Sequence, residues 1–211
     1  MKTIIKTFTL FALYASASLA QDFNVSASGE QIFSFSDQHG RNQAIFFSTT
    51  PLEDINGLTN DVNGSVTFDV GDLSKLRGTI SLSTTSLKTG IDLRDEHLRS
   101  ANWLDADSYP EITFAIKSIS NIESSESNKL TAKVTGDFTA HGVIKEITAD
   151  VTMTYLDESE QTQKRAPGDL FGVQATFNIT LSEYDIDNMV LGQKVSDNIE
   201  IGVNIVGSNA N

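Results

Sequence analysis

Apolar and polar residues alternate along most of the chain from about Gln31 onward. Val66, Phe68 and Val70 share one face of such a run, with polar residues between them. The same period of two recurs near residues 31–35, 44–48, 76–82, 112–116, 130–138, 147–155, 171–181 and 199–205. Because successive side chains of a strand point to opposite faces, each run hides one face and exposes the other, as antiparallel strands do. The pattern predicts an all-β fold of about nine strands.

Helices are expected only in short pieces, near residues 51–56, 93–104 and 183–188. No composition change or repeat divides residues 31–207, so a single domain is expected. A strand series of this kind forms either a two-sheet sandwich or a closed barrel.

Small residues on the predicted inward faces bear on that choice. They are Gly78, Ala132, Gly136, Ala149 and Ala175. They would leave a barrel interior partly empty, which favours a ligand cavity. Alternatively, they relieve crowding where strands bend.

The first twenty residues have the pattern of an export signal. Lys2 and Lys6 precede an apolar stretch that ends in Ser18-Leu19-Ala20. The stretch is too short to span a membrane, and small residues mark a cleavage site after Ala20. We therefore expect a signal peptide over residues 1–20 and one domain over residues 21–211. The expected location is periplasmic, with secretion as the alternative.

Composition excludes several functions. The chain has no cysteine, which rules out thiol nucleophiles and thiolate metal sites. Lys+Arg number 15 and Asp+Glu number 28, so loss of Lys2 and Lys6 leaves 13 basic residues, and 13 − 28 gives a net charge of −15. Such a surface repels phosphate backbones, so no nucleic-acid partner is expected. Nor is the mature chain expected to be integral to a membrane, since no second apolar stretch approaches span length.

The densest cluster of charges lies in residues 91–104, IDLRDEHLRSANWL. Asp95 and His97 are the residue types of acid–base catalysis, and with His141 they could ligate a metal. Neighbouring helix positions point in different directions, however, so Asp95, Glu96 and His97 cannot converge on one substrate atom. We favour a structural interpretation over an enzyme that uses the Arg94-Asp95-His97 patch, and we expect no catalytic residue and no metal site.

In the structural interpretation, this segment is a corner or lid across one barrel end. Asp92 or Asp95 would cap a short helix, and Arg94 and Arg99 would pair with nearby carboxylates. Pro110 would end the segment and start the next strand.

Two motifs carry a family resemblance. The first is Thr89-Gly90, then RDEHLRS at residues 94–100, then YPEITF at residues 109–114; the second is GDFTAHGVIK at residues 136–145. Together they resemble the YceI-like polyisoprenoid-binding family over roughly residues 43–206. The resemblance implies an extended lipocalin-like antiparallel β-barrel with one or two short helices. It also implies a non-enzymatic, exported protein that holds an isoprenoid chain, such as a quinone or polyprenyl lipid, in an apolar pore. No other cofactor is expected, and a homodimer is a possible assembly that the sequence does not decide.

Residue predictions follow from strand alternation and from these motifs. The predicted pore-lining residues are Phe68, Ile80, Leu82, Ile112, Phe114, Ile116, Val134, Phe138, Val151, Met153, Phe177, Ile179 and Val203. The predicted structural-motif residues are Arg94, Asp95, His97, Leu98, Arg99, Trp103, Pro110, His141 and Gly142. A filled barrel or sandwich that serves as a secreted interaction module is the remaining alternative, and it would contain no cavity.

Overall fold

The computed structural model describes residues 22–210, so the predicted signal peptide lies outside the described residues. The strands are β1 (Glu30–Ser34), β2 (Gln43–Thr49), β3 (Asp54–Thr59), β4 (Val62–Asp69), β5 (Asp72–Ser83), β6 (Glu111–Glu126), β7 (Lys129–Ala140), β8 (Val143–Leu156), β9 (Leu170–Thr180) and β10 (Asn198–Ser208). The helix is α1 (Asp92–Arg99), and 3₁₀ turns lie at Thr84–Ser86, Thr162–Lys164 and Leu181–Tyr184. No helix within residues 22–210 is long and apolar enough to cross a membrane.

All ten strands belong to one antiparallel sheet. Their order is β1-β4-β5-β6-β7-β8-β9-β10-β2-β3. Ser34 of β1 also pairs with Ser208 of β10, which closes β1 and β4–β10 into an eight-stranded barrel. Residues 200–204 of β10 pair instead with β2, and β2 pairs with β3, so the wall continues beyond the closure. The predicted extended antiparallel barrel is confirmed.

Alternation determines which side chains enter the barrel. Along β7, Leu130, Ala132, Val134 and Phe138 are buried, whereas Lys133 between them is exposed. Ladder pairing extends from Lys129–Thr154 to Ala140–Val143, so apolar residues of β7 face apolar residues of β8. This pairing specifies the register, because a one-residue slip would expose the whole apolar set.

The structure corrects two local predictions. A short helix was predicted near residues 51–56, but residues 54–56 belong to β3, which pairs with β2 from Ala44–Thr59 to Thr49–Asp54. Residues 121–128 are rich in Ser, Asn and Glu, a composition typical of a hairpin loop, yet β6 continues to Glu126 through irregular pairing with β7. In both places strand pairing outweighs local propensity.

Candidate functional site

The barrel contains a cavity of about 780 Å³. Strands β2 to β10 all contribute inward-facing side chains to its wall, and most of these are aliphatic or aromatic. A cavity of this size falls within the roughly 300–1,000 Å³ range of small-molecule sites. Side chains therefore do not fill the interior. The alternative of a filled interaction module requires an interior without a cavity, which differs from this structure.

Twelve of the thirteen predicted pore residues lie on the cavity wall. They are Ile80, Leu82, Ile112, Phe114, Ile116, Val134, Phe138, Val151, Met153, Phe177, Ile179 and Val203. Phe68 is the exception and does not line the cavity. Strand alternation identifies these residues as inward-facing; whether they bind a ligand stays a prediction.

Phe68 belongs instead to an aromatic plug that closes one end of the barrel. The plug consists of Phe23, Phe33, Phe68, Tyr155 and Phe171. Phe68 and Phe171 have ring centroids 4.8 Å apart, and Phe68 stacks on Phe33 at 5.6 Å. The Tyr155 hydroxyl donates a hydrogen bond to Asp169 Oδ2 at 2.7 Å, and burial together with this carboxylate raises the pKa of Tyr155. Side chains that fill this end leave no space for a ligand next to Phe68.

The small inward residues divide between the two roles considered for them. Ala149 and Ala175 line the cavity and leave volume open. Gly78 and Gly136 relieve crowding: a Cβ at Gly78 would lie 2.2 Å from Ser65 O, and one at Gly136 would lie 2.5 Å from Ala115 O. Gly78 also has φ +149°, which disfavours other residues.

At the opposite end the cavity opens to solvent. We call this end the mouth; it is lined by residues of α1, by residues 100–104 and by residues 188–195. Lining residues here are also solvent-exposed, including Leu93, His97 and Lys194, whereas Phe171 and Met153 at the plug end are 1% exposed. Three largely exposed apolar side chains lie in or directly beside the mouth segments: Ile91, Leu93 and Met189. The apolar lining thus continues to the protein surface.

The charged motif of residues 94–99 forms part of the mouth. Arg94, His97 and Leu98 line the cavity, as does Trp103 just beyond the helix. Asp95 points the other way and is 6% exposed, while Glu96 and His97 are exposed. The three titratable side chains therefore do not face one common point. Within residues 22–210, no group of three His, Asp or Glu side chains could hold a metal ion.

Asp95 binds the end of the preceding loop rather than capping α1. Its Oδ1 accepts hydrogen bonds from Thr89 N and Thr89 Oγ1, both at 2.6 Å. No side chain caps the helix N-terminus, where the N-cap residue is Ile91. Burial alone would raise the pKa of Asp95, but the Thr89 hydrogen bonds and the positive charges of Arg99 and Arg94 lower it overall. The carboxylate is thus ionised and anchors the helix to residue 89.

We expect Asp95→Ala to lower the free energy of unfolding by about 2 kcal/mol, because Thr89 N would lose its partner in a partly buried site. Urea unfolding at pH 7 measures the change. Glu96→Ala is the matched control, since Glu96 is exposed on the next position of the same helix. Equal losses in both variants would contradict the anchoring role.

The contribution of Asp95 to the free energy of unfolding is expected to depend on pH. The pKa of Asp95 lies below its ordinary 3.8 in the folded protein, so its contribution to stability is complete above that value. It is lost as the pH falls through the folded value. The stability difference between the wild type and the non-titrating Asp95→Asn should therefore shrink toward acid pH, and a constant difference down to full protonation would argue against this assignment.

The remaining motif residues hold the strands around the mouth. His141 and Gly142 form the two-residue turn between β7 and β8, with φ 50° and 75°. Such positive φ pairs suit the twist of a hairpin. The His141 Nδ1 atom lies 2.9 Å from Tyr184 O, and its ring packs edge-on against Tyr109 at 4.8 Å. Pro110 O accepts a hydrogen bond from Thr84 N at 2.9 Å. Arg99 does not line the cavity.

Comparison with known proteins identifies relatives of this barrel. Residues 33–207 match the sequence profile of the YceI-like domain. Protein YceI of Shigella flexneri is 28% identical over 181 residues, which cover 85% of this chain and 84% of that protein.

Two solved structures share the fold. The crystal structure of BcnA from Burkholderia cenocepacia superposes with a TM-score of 0.64 at 18% identity, over 81% of this chain and 99% of that one. A polyisoprenoid binding domain from Saccharophagus degradans, implicated in plant cell wall breakdown, superposes with a TM-score of 0.61 at 12% identity, over 87% of this chain and all of that one (100%). At these identities the structures establish a common fold.

Proposed function

This chain belongs to the YceI-like domain family, and on that premise we propose that it is a non-enzymatic carrier for an isoprenoid lipid of the quinone or polyprenyl type. The observation that carries the proposal is the apolar cavity of about 780 Å³, closed by an aromatic plug and open at the mouth. A long apolar chain with a polar head fits such a shape, with the tail toward the plug and the head at the mouth. The name of the Saccharophagus degradans domain, a polyisoprenoid binding domain, agrees with this ligand class.

The tail alone can provide useful affinity. Burying one CH₂ group contributes about 0.8 kcal/mol, so roughly ten groups contribute about 8 kcal/mol. That corresponds to binding near the micromolar range before ordering costs are subtracted. An isoprenoid tail carries more apolar carbons than that. Transport, storage and sequestration all use this same property.

We further propose that the carrier acts after export to the periplasm. The supporting observation is the signal pattern that ends at Ala20. The absence of cysteine suits an exported protein whose stability comes from its core instead of disulfides. A net charge of −15 after cleavage would keep the exported chains apart by mutual repulsion in an aqueous compartment.

Mass spectrometry of lipid extracted from the protein tests the ligand. The protein is purified without detergent from its own host, and we expect an isoprenoid lipid near one molecule per chain. The intact mass of the same sample tests export, since cleavage after Ala20 gives a chain that begins at Gln21. Protein that is lipid-free and also fails to take up quinones or polyprenols would overturn the carrier function.

A further inference from the structure

Arg94 is the cationic side chain whose position on the cavity wall is best defined. It is the third residue of α1, is half-buried, and lines the mouth. Arg94 Nε donates to Thr89 Oγ1 at 2.9 Å, and Arg94 Nη2 donates to Thr89 O at 3.2 Å. Thr89 Oγ1 in turn donates to Asp95, so a continuous hydrogen-bond chain holds the guanidinium in place.

This guanidinium has donors to spare. An arginine carries five N–H donors, and the two bonds to Thr89 use two of them. Among residues 22–210, no carboxylate forms an ion pair with Arg94, and both of its hydrogen bonds go to Thr89. The charge of Arg94 acts on the nearby Asp95 carboxylate without forming an ion pair with it, so the guanidinium N–H groups that are not bound to Thr89 remain available to a ligand.

A second cation, Lys194, lines the same mouth from a segment that is distant from α1 in sequence. Lys194 lies in the segment before β10, and its ammonium has no hydrogen bond or ion pair within the described residues. Asn188 Nδ2 donates to Asn102 O at 3.2 Å, which ties this segment to the one that follows α1. Glu53 is the one acidic residue on the cavity lining. Arg94 and Lys194 thus outnumber Glu53, which gives the cavity lining a net positive charge on a chain whose formal net charge is −13.

Fixed guanidinium groups favour planar, anionic oxygen groups. Arginine binds phosphate and carboxylate through two parallel N–H···O bonds, which a neutral hydroxyl or ketone cannot fully reproduce. The apolar remainder of the cavity offers no comparable partner for an anion.

We infer that Arg94, supported by Lys194, forms a binding site for an anionic head group, so that the preferred ligand is an isoprenoid chain with a terminal phosphate. This inference rests on the proposed carrier function and narrows it from isoprenoid lipids in general to those with an anionic head. Thr89 and Asp95 act as positioning residues: Thr89, on the cavity lining, accepts both hydrogen bonds from Arg94, and Asp95, off the lining, holds Thr89 in turn.

The test compares three ligands with tails of equal length: a polyprenyl monophosphate, the corresponding polyprenol, and a quinone. Equilibrium binding is measured by tryptophan fluorescence, because Trp103 lines the mouth and is the single tryptophan of the chain. The wild type should bind the phosphate about tenfold to a hundredfold more tightly than the polyprenol, as charge-assisted hydrogen bonds would provide. Arg94→Gln should abolish most of that preference and leave polyprenol affinity within a factor of about three.

Arg99→Gln is the matched control, because it removes the same charge from the same helix at a position off the cavity lining. It should keep the phosphate preference, whereas a purely long-range electrostatic effect would weaken both variants equally. Arg94→Lys keeps the charge without the planar fork and should retain only part of the preference. It also serves as the second variant if Arg94→Gln does not fold.

The outcomes separate this inference from the carrier function. A wild type that binds all three ligands with equal affinity, or an Arg94→Gln variant that keeps the full phosphate preference, overturns the head-group site and leaves the carrier function intact. A wild type that binds none of the three ligands overturns the carrier function itself.

Discussion

Substituting phenylalanine for Ala175 is expected to weaken the binding of a polyprenol or quinone about thirtyfold. Ala175 lies midway along β9, where it pairs with Val151 of β8 and Val203 of β10, and all three line the cavity. The new ring would occupy space that now accommodates a ligand tail. Displacing two or three buried CH₂ groups costs about 2 kcal/mol, which is roughly thirtyfold in affinity.

The adjacent outward position provides the control for this prediction. Thr176 is exposed on the outer face of the same strand, so Thr176→Phe adds the same ring outside the barrel. Both variants are compared with the wild type by ligand titration and by thermal unfolding. Unchanged affinity in an Ala175→Phe variant that unfolds like the wild type would show that the ligand does not occupy the cavity.

Replacing Phe68 by alanine is expected to lower the free energy of unfolding by about 4 kcal/mol. Its side chain is fully buried in the plug, with the rings of Phe33 and Phe171 at 5.6 and 4.8 Å. Large-to-small changes at such sites lose both burial and packing, typically about 3–5 kcal/mol for phenylalanine. Chemical denaturation of the ligand-free protein measures the loss.

Phe47 offers a comparison of the same residue type at the surface. It is 37% exposed on β2, so Phe47→Ala should cost about 1 kcal/mol or less. Because Phe68 does not line the cavity, Phe68→Ala should bind ligand normally under conditions in which it remains folded. A small change in stability combined with a large loss of ligand affinity would show that Phe68 lines the ligand site and is not part of a structural plug.

The positions of Ala175 and Phe68 illustrate how far strand alternation can guide a prediction. Ala175 and Phe68 both occupy inward positions of alternating runs, and both are inward in the structure. Alternation identifies the face of a strand but carries no information about depth along the barrel axis. Phe68 lies at the depth where Phe23, Phe33, Tyr155 and Phe171 meet, and these residues come from distant parts of the chain.

The charged motif shows the same limit in a different form. Its residue types suggested mutual ion pairs, and the short helix itself was predicted within residues 93–104. The partner of both Asp95 and Arg94 is Thr89, which precedes the helix. Local sequence does not predict that Asp95 and Arg94 bind Thr89 instead of neighbouring charged side chains. That pairing depends on how the loop before α1 places Thr89 next to the helix.

Lys194 and Glu53 were absent from the predicted site for a related reason. Both lie in segments without a strand pattern or family motif, so no local signal marked them. They reach the cavity lining because the β2–β3 wall extends the barrel beside Glu53 and because Asn188 ties the segment of Lys194 to Asn102.

The sequence by itself determined the fold class, the family and the inward set of side chains, because period-two alternation and two contiguous motifs are local properties of the chain. Tertiary structure alone decided the closure of eight strands, the end that is plugged, the volume left open and the residues that surround the mouth. Those features depend on strand register and on contacts between residues far apart in sequence, and register is the result of packing every strand at once.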